Sequence, residues 1–386
     1  MSIIFNVPST LVIGGGASGE LAGQVKRLGA NRVLVVTDKF MMENGIVDRV
    51  VQPLTALGIS VSVFDGVNPD PTDKNVADGL MLLRGSDAQV VIALGGGSSI
   101  DAAKAIAVMA TNSGKIDQYA GYHKIPKAGL PLIAIPTTAG TGSEVTKVAV
   151  ITNVERQEKM LLLDFSLLPR IALVDYLLTM SMPRALTSYV GIDTLIHAIE
   201  AYVSRKANPT TDLFALSCIK LVAQNLLKAY ESPNDEGARE AMMLAACHGG
   251  IAFANSSVCL IHGMSRPLGA VFHLPHGLAN GVLLLAATRF SLPACESRYA
   301  VISRTMGYAS ESDSDKSAGL KLLSGLETLN GVLNLPKLRD CPGIDSSHFE
   351  ASLAKMATDA LASGSPANNP VVPQVEEISA IYREAW

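Results

Sequence analysis

The chain has 386 residues, of which 48% are hydrophobic and 17% are charged. This length and composition suit two buried cores of ordinary size and are not typical of a disordered protein. Its 31 Lys and Arg residues and 35 Asp and Glu residues leave a formal net charge of −4, with no basic run. Because nucleic acids are bound by clustered Lys and Arg, we expect no nucleic-acid partner.

The cysteines and the N-terminal segment suggest a compartment. The 5 cysteines are scattered and form no C-x-x-C pair, which is typical of reduced thiols and not of a disulfide framework or a zinc knuckle. No basic segment precedes the first apolar residues, and no apolar run approaches the roughly 20 residues of a membrane-spanning helix. We therefore expect a cytoplasmic protein with no membrane partner.

In chain order, the first half alternates short β-branched runs with amphipathic segments. Several runs are apolar throughout, as expected of parallel strands covered on both faces. The repetition predicts an α/β domain with a Rossmann-like, doubly wound parallel sheet. The predicted strands are Thr10–Ile13, Arg32–Thr37, Ser60–Phe64, Val90–Leu94, Leu132–Ile135 and Ile171–Val174, and the helical segments include Ser18–Leu28 and Asp73–Leu83.

The pattern changes after about Pro183. Long segments with a 3.6-residue period follow one another, and strand patterns nearly disappear. We predict a dinucleotide-binding α/β domain over residues 1–180 and an all-α domain over residues 181–386. The helical segments are 184–204, 210–229, 236–254, 279–291, 346–362 and 374–385.

Two glycine-rich segments are candidates for a phosphate-binding loop. Gly14–Gly19 fits G-x-G-x-x-G, but a tight strand-to-helix turn explains it equally well. Gly95–Gly97 follows a buried strand and precedes a helix with Ser98 and Asp101 at capping-box spacing. Bare backbone and a helix N-terminus together suit a pyrophosphate, so the second segment is the better candidate.

Asp38 lies at the end of the second predicted strand. A carboxylate there accepts hydrogen bonds from a ribose and repels a 2′-phosphate, which favours NAD over NADP. The same residue could instead cap a helix that begins near Phe40.

A carboxylate and three histidines form the second candidate site. Asp193 and His197 are four residues apart and therefore share one helix face, while His262 and His276 are each followed by glycine in an apolar segment. One carboxylate with three imidazoles suits iron(II) or zinc. From spacing alone, a solvated polar stripe on the first helix remains an equally serious alternative.

Four motifs in order resemble the iron-containing, or group III, alcohol dehydrogenase family, which includes lactaldehyde reductases and 1,3-propanediol dehydrogenases. The resemblance extends over essentially the whole chain, up to the C-terminal NNP…EEISAIY segment. The motifs are Gly95–Asp101 (GGGSSID), Pro136–Thr146 (PTTAGTGSEVT), Gly191–Tyr202 (GIDTLIHAIEAY) and His262–Asn280 (HGMSRPLGAVFHLPHGLAN).

The resemblance implies an NAD-binding first domain, a metal-binding catalytic second domain and an active site in the cleft between them. It makes Gly14–Gly19 a structural turn. The residues implied as ligands of a divalent metal, Fe²⁺ first and Zn²⁺ second, are Asp193, His197, His262 and His276. The residues implied as cofactor contacts are Asp38, Gly96, Gly97, Ser98, Thr137, Thr138, Thr146, Lys159 and Leu178.

The chemistry expected of such a site is hydride transfer between a nicotinamide and a small alcohol or aldehyde, with the metal as Lewis acid on the substrate oxygen. The family also implies a homodimer or a larger homo-oligomer.

Two residues depart from the family pattern. Arg266 stands where many members have histidine, and because arginine stays protonated it is not a proton shuttle. His273 is the nearest titratable replacement. Arg266 either forms a structural ion pair or binds the cofactor or an anionic substrate group. Asp70, where relatives often have asparagine, is a further carboxylate that would disfavour a 2′-phosphate.

Three other functions compete with the leading one. The first is a reductase for an aldehyde or ketone with a carboxylate, sulfonate or phosphonate bound by Arg266. The second is a metal-independent enzyme similar to maleylacetate reductases, which is disfavoured because all four ligand positions are filled. The third is a catalytically silent nucleotide-binding protein, which the intact ligand and cofactor motifs disfavour.

Overall fold

The structure is a computed structural model in which residues 2–386 are described. The chain forms two compact units, Met1–Met180 and Ser181–Trp386. The strands of the first unit, numbered in chain order over its described residues, are β1 (Thr10–Ile13), β2 (Arg32–Val36), β3 (Ser60–Phe64), β4 (Val90–Gly95), β5 (Gly121–Tyr122), β6 (Leu132–Pro136), β7 (Val148–Asn153), β8 (Glu158–Leu163) and β9 (Ile171–Val174).

Six of these strands form a parallel sheet in the order β1-β9-β6-β4-β2-β3. Successive residues of β4 enter opposite cores, since Val91 and Ala93 belong to one buried apolar cluster and Val90, Ile92 and Leu94 to another. Burial on both faces is why these strands read as continuous apolar runs. All six predicted strands are confirmed, and with them the parallel α/β sheet.

Helices connect the strands of the first unit. They are α1 (Leu21–Arg27), α2 (Lys39–Glu43), α3 (Ile46–Ala56), α4 (Asp73–Gly85) and α5 (Gly97–Met109). A second sheet, β5-β8-β7, was not predicted. In β7, half-buried and buried residues alternate, so one face of this strand is buried more deeply than the other.

The strand order contains one topological switch point. The chain runs from β2 outward to β3 and then crosses to β4 on the other side of β2. Open α/β sheets bind ligands outside the carboxyl ends of the strands at such a point. The segments that follow β2 and β4 are therefore the expected place for a ligand in this unit.

The second unit is helical over its described residues. Its helices are α6 (Arg184–Val203), α7 (Pro209–Glu231), α8 (Glu236–Asn255), α9 (Leu260–Phe272), α10 (His276–Ser291), α11 (Glu296–Thr305), α12 (Asp315–Val332), α13 (Ser346–Ala362) and α14 (Val375–Ala385). All six predicted segments are helical. The prediction missed α9, α11 and α12, and α9 contains Pro267, which sequence patterns treat as a break.

A buried arginine connects the segments at the start of this unit. The Arg239 side chain on α8 is buried, and its guanidinium donates to the Pro233 carbonyl at 2.9 Å, the Thr187 hydroxyl at 2.9 Å and the Met182 carbonyl at 3.2 Å. It therefore ties the first turns of α6 and α8 together. Between residues 2 and 386 no single helix has the length and apolar character to span a membrane, although α8 and α9, bent by 103° at their break, meet that test as a pair.

Candidate active site

Four potential metal ligands converge in the second unit. Asp193 and His197 lie on α6, His262 lies in the first turn of α9, and His276 is the first residue of α10. One ligand atom from each residue lies within 4.8 Å of the others. The i, i+4 spacing on α6 is therefore one half of a cluster and not a solvated stripe, because Asp193 and His197 are both buried.

The distances suit a single divalent cation. Oδ1 of Asp193 lies 3.9 Å from Nε2 of His197, 3.5 Å from Nε2 of His262 and 3.7 Å from Nε2 of His276. Ligand atoms around a tetrahedral metal with bonds of about 2.1 Å stand about 3.4 Å apart. The three imidazoles turn the same nitrogen toward one carboxylate oxygen, so these residues fit the metal that their chemistry suggests.

The electrostatics of the cluster favour a positive charge at its centre. Burial alone would raise the pKa of Asp193, but His197, His276 and His262 hold it well below its usual value. Burial alone would lower the pKa of His262, but Asp193 and Glu200 raise it to about 9. A field that attracts a proton to a buried imidazole also attracts a metal cation, which competes with that proton.

Asn280 contacts three of the four ligands and was missed by sequence reasoning. Its Nδ2 lies 2.6 Å from Oδ1 of Asp193, 3.2 Å from Nε2 of His262 and 3.1 Å from Nε2 of His276. The sequence feature that indicates Asn280 is its spacing: it follows His276 by four residues on α10 and therefore lies on the same helix face. The Asn280 amide nitrogen thus lies within hydrogen-bonding distance of three of the four candidate ligand atoms, so this side chain adjoins the point at which they converge.

Glu200 is the second missed residue. It lies on α6 three residues after His197, and its carboxylate accepts a hydrogen bond from Nδ1 of His262 at 2.7 Å. The sequence shows it as a continuation of the polar face of that helix, but not its partner. A buried carboxylate behind a metal-binding histidine commonly orients the ring.

Three other side chains adjoin the cluster or its helices. The ring of Phe253 stacks on His197 with centroids 4.4 Å apart, so one wall of this site is aromatic. Arg266 is half-buried on α9, four residues after His262 and on the same face of the helix. His273 is exposed and ends α9 with a left-handed φ of 53°.

The switch point of the first unit carries Asp38 and the second glycine segment. Asp38 follows β2 and caps α2 by accepting from the Met41 N–H at 3.1 Å, while its other oxygen accepts from the Ser99 hydroxyl at 3.3 Å. Gly95 has φ +149°, and a Cβ at Gly97 would lie 2.8 Å from the Thr141 methyl group. The backbone conformation therefore favours glycine at residue 95, whereas at residue 97 the Thr141 side chain leaves little room for a Cβ.

The predicted capping box at Ser98 and Asp101 is wrong. The N-cap of α5 is Gly96, which has no side chain to cap the helix. Ser98 instead donates its hydroxyl to the Pro69 carbonyl. Asp101 is turned inward and accepts from the Ser143 hydroxyl at 2.7 Å and the Val150 N–H at 2.9 Å. No side chain of this chain caps the first N–H groups of α5, as far as the described residues show.

The first glycine segment is a turn held by a carboxylate. The N–H groups of Gly16 and Ser18 donate to Asp175 at 3.0 and 3.1 Å, and the Ser18 hydroxyl donates to the same carboxylate at 2.6 Å. The segment also follows β1, an edge strand far in the strand order from the switch point. Asp175 occupies the donors that a phosphate would need, which supports a structural role for Gly14–Gly19.

The remaining cofactor candidates lie in different environments. Thr137 and Thr138 follow β6, where the Thr137 N–H donates to the Gly95 carbonyl at 3.0 Å. Lys159 on β8 forms a 2.8 Å ion pair with Asp70. Leu178 is buried in the apolar cluster that contains the β4 residues Val90, Ile92 and Leu94.

Thr146 belongs to a buried charge cluster beneath the glycine loop. Nζ of Lys104 donates to the hydroxyl groups of Ser143 at 2.8 Å and Thr146 at 3.0 Å and to the Val148 carbonyl at 2.6 Å. Burial lowers the pKa of Lys104 to about 8, against the attraction of the nearby carboxylates. The cluster joins α5, which the glycine loop precedes, to the loop after β6.

Comparison with known proteins identifies the family. The family model "Iron-containing alcohol dehydrogenase" matches residues 8–176, and "Fe-containing alcohol dehydrogenase family, C-terminal" matches residues 187–386. The 1,3-propanediol dehydrogenase of Klebsiella pneumoniae is 37% identical over 383 residues, which cover 98% of each chain. The NAD-dependent methanol dehydrogenase of Bacillus methanolicus is 37% identical over 381 residues, which cover 99% of each.

A solved structure leads to the same family. The crystal structure of a 1,3-propanediol oxidoreductase superposes on this chain with a TM-score of 0.97 and 37% identity, covering 100% of both chains. The chain belongs to the iron-containing alcohol dehydrogenase family.

Proposed function

We propose that this chain is a metal-dependent, NAD(H)-linked alcohol dehydrogenase or aldehyde reductase. The observation that carries the proposal is the convergence of one carboxylate and three imidazoles within 4.8 Å in the second unit. Family membership supports the reaction class, and the filled ligand set disfavours the metal-independent alternative.

The proposed metal ligands are Asp193, His197, His262 and His276, with Fe²⁺ as the first candidate and Zn²⁺ as the second. When bound, a divalent metal supplies Lewis acidity toward the substrate oxygen, and NAD(H) supplies or accepts the hydride. The Phe253 ring stacks on His197 and gives that side of the site an apolar wall.

The proposed NAD site lies at the switch point of the first unit. Its pyrophosphate would face Gly96, Gly97 and Ser98, because the N–H groups at the start of α5 receive no side-chain cap. Asp38 at the end of β2 would accept from the adenosine ribose and exclude a 2′-phosphate. Thr137, Thr138 and Lys159 are proposed to complete the site, together with Leu178 and Thr146.

Two residues are proposed to act in the reaction itself. His273 is the titratable group nearest in sequence to His276 and is proposed to relay a proton. Arg266, one turn after His262 on α9, is proposed to attract the negative charge of the cofactor or substrate. We further propose that the protein is cytoplasmic, forms a homodimer or larger homo-oligomer, acts on a small alcohol or aldehyde, and has no nucleic-acid or membrane partner.

The function is tested by reconstitution. The protein is loaded with Fe²⁺ or Zn²⁺, its metal content is measured, and NADH oxidation is followed with a panel of aldehydes. Asp193→Ala should lose both metal and turnover, whereas His248→Asn should keep both. His248 is a matched control because it contacts Ser217 on α7 and lies outside the cluster. Tight NAD binding with neither metal nor turnover would refute the proposal.

The two catalytic assignments have separate tests. Asparagine tolerates the left-handed backbone of residue 273, so His273→Asn removes the proton relay while keeping the end of α9. We expect kcat to fall about 100-fold, the lower range for loss of acid–base catalysis. An unchanged kcat would exclude the relay.

For Arg266→Ala, matched neutral and anionic aldehydes are compared. A loss confined to the anionic aldehydes would place the substrate charge on Arg266. Equal losses with both, accompanied by a higher KM for NADH, would place the cofactor there instead.

A further inference from the structure

Glu200 connects two helices and one metal-ligand candidate. Its side chain is only 2% exposed. One carboxylate oxygen accepts from the Cys259 N–H at 2.8 Å and from Nδ1 of His262 at 2.7 Å, and the other accepts from the Ile261 N–H at 2.5 Å. All three of these contacts are with the start of α9.

These contacts favour one tautomer of His262. Both oxygens of the Glu200 carboxylate accept from backbone N–H groups, so the carboxylate acts as an acceptor in this position and suits a ring that donates from Nδ1. The lone pair of the neutral ring then lies on Nε2, which faces Asp193 at 3.5 Å. Metal binding requires a nitrogen without a proton, so Glu200 selects the tautomer that the proposed site needs.

The same carboxylate also fixes the backbone that carries the ring. The N–H groups of Cys259 and Ile261 lie at the N-terminus of α9, where backbone donors have no acceptor within their own helix. A negative charge such as the Glu200 carboxylate is favourable there. Asp193, His197 and Glu200 occupy one face of α6 at i, i+4 and i+7. The helix that supplies two proposed ligands thus also holds the helix that supplies the third.

We propose that Glu200 is a positioning residue that sets both the tautomer and the location of His262 in the metal site. The inference rests on the proposed function, since it concerns the metal that this function uses. Loss of a hydrogen-bond partner behind a metal-binding histidine typically weakens metal affinity 10- to 100-fold.

The test is Glu200→Gln, which keeps the volume of the side chain. An amide has one acceptor oxygen, and its NH₂ group must face either the Ile261 N–H or both the Cys259 N–H and Nδ1 of His262. In either case an N–H of the amide opposes a backbone N–H, and in the second Nδ1 must also lose its proton and Nε2 must gain it. Both arrangements disfavour the position of His262 or its tautomer with an unprotonated Nε2, which metal binding requires.

The measurement is the Zn²⁺ dissociation constant by competition with a chelator, together with the ¹⁵N shifts of histidine rings in the Zn²⁺-loaded protein. We expect binding by Glu200→Gln to be weaker by about 10- to 100-fold, with loss of the wild-type signal of a ring protonated at Nδ1. Asp235→Asn is the matched control, since Asp235 caps α8 by accepting from the Ala238 N–H at 2.9 Å. It should leave Zn²⁺ affinity unchanged, because asparagine caps a helix about as well as aspartate.

The outcomes separate this inference from the proposed function. Wild-type protein that binds no metal would refute both. Wild-type protein that binds Zn²⁺, with Glu200→Gln binding within twofold of it, would refute only the role of Glu200. Equal losses of affinity in Glu200→Gln and Asp235→Asn would show a general effect of helix capping and would also overturn the inference.

Discussion

Glu144, beneath the proposed cofactor loop, gives a prediction about pH. It is only 2% exposed. Burial raises its pKa from 4.5 to about 7, against a backbone hydrogen bond and the attraction of Lys104. Asp101 is the other carboxylate of the cluster, and burial raises its pKa as well. The change to test is Glu144→Gln, which keeps the shape and removes the titration.

The direction in which stability changes with pH follows from the number of protons that the folded and unfolded states bind. Because the folded pKa lies above the unfolded value, the folded state binds more protons between pH 4.5 and about 7. The stability contributed by the protonated carboxyl is complete below the unfolded pKa and is lost as the pH rises through the folded one. A shift of this size corresponds to about 3 kcal/mol as an upper figure. For a unit of this size that is roughly 6–12 °C in the unfolding midpoint.

The assay is differential scanning calorimetry of wild type and Glu144→Gln at several pH values between 4.5 and 7.5. We expect the midpoint of the first unit to fall further with rising pH in wild type than in the variant. The pKa of Lys104 is lowered to about 8. Its titration makes stability rise with pH, and does so above the pH range of the assay. Glu155→Gln, at an exposed carboxylate, should keep the wild-type slope. Parallel pH profiles for wild type and Glu144→Gln would refute the reasoning.

Two further predictions concern packing. Arg239→Met should lower the free energy of unfolding by about 2–4 kcal/mol in urea titration, because it leaves buried acceptors without their donor; an unchanged midpoint would show that those hydrogen bonds add nothing net. In Gly97→Ala the new methyl group would lie 2.8 Å from the Thr141 Cγ2, so NAD affinity measured by calorimetry should fall about tenfold or more. Adding Thr141→Ser, which removes that methyl group, should recover part of the loss; no recovery would place the clash elsewhere.

Local patterns were sufficient for the six strands of the parallel sheet and for six helices of the second unit. The β4 run is apolar at every position because both of its faces are buried, and a single strand shows that without knowledge of its neighbours. The helix that carries Asp193 and most of the helix that His276 begins likewise follow from their period. The pattern failed at α9, where the internal Pro267 resembles a break.

The sequence by itself determined the residue types, their spacing and the family resemblance, and therefore the reaction class. Those properties are local, or depend on motif order, and need no coordinates. Only the tertiary structure decided which groups surround the candidate metal ligands and the candidate phosphate-binding loops. Glu200 behind His262, Asn280 beside Asp193 and His262, and Asp175 in the first glycine turn form contacts that span 18 to 159 residues along the chain. Hydrogen bonds of that range depend on how helices and strands pack, and no pattern within one segment encodes them.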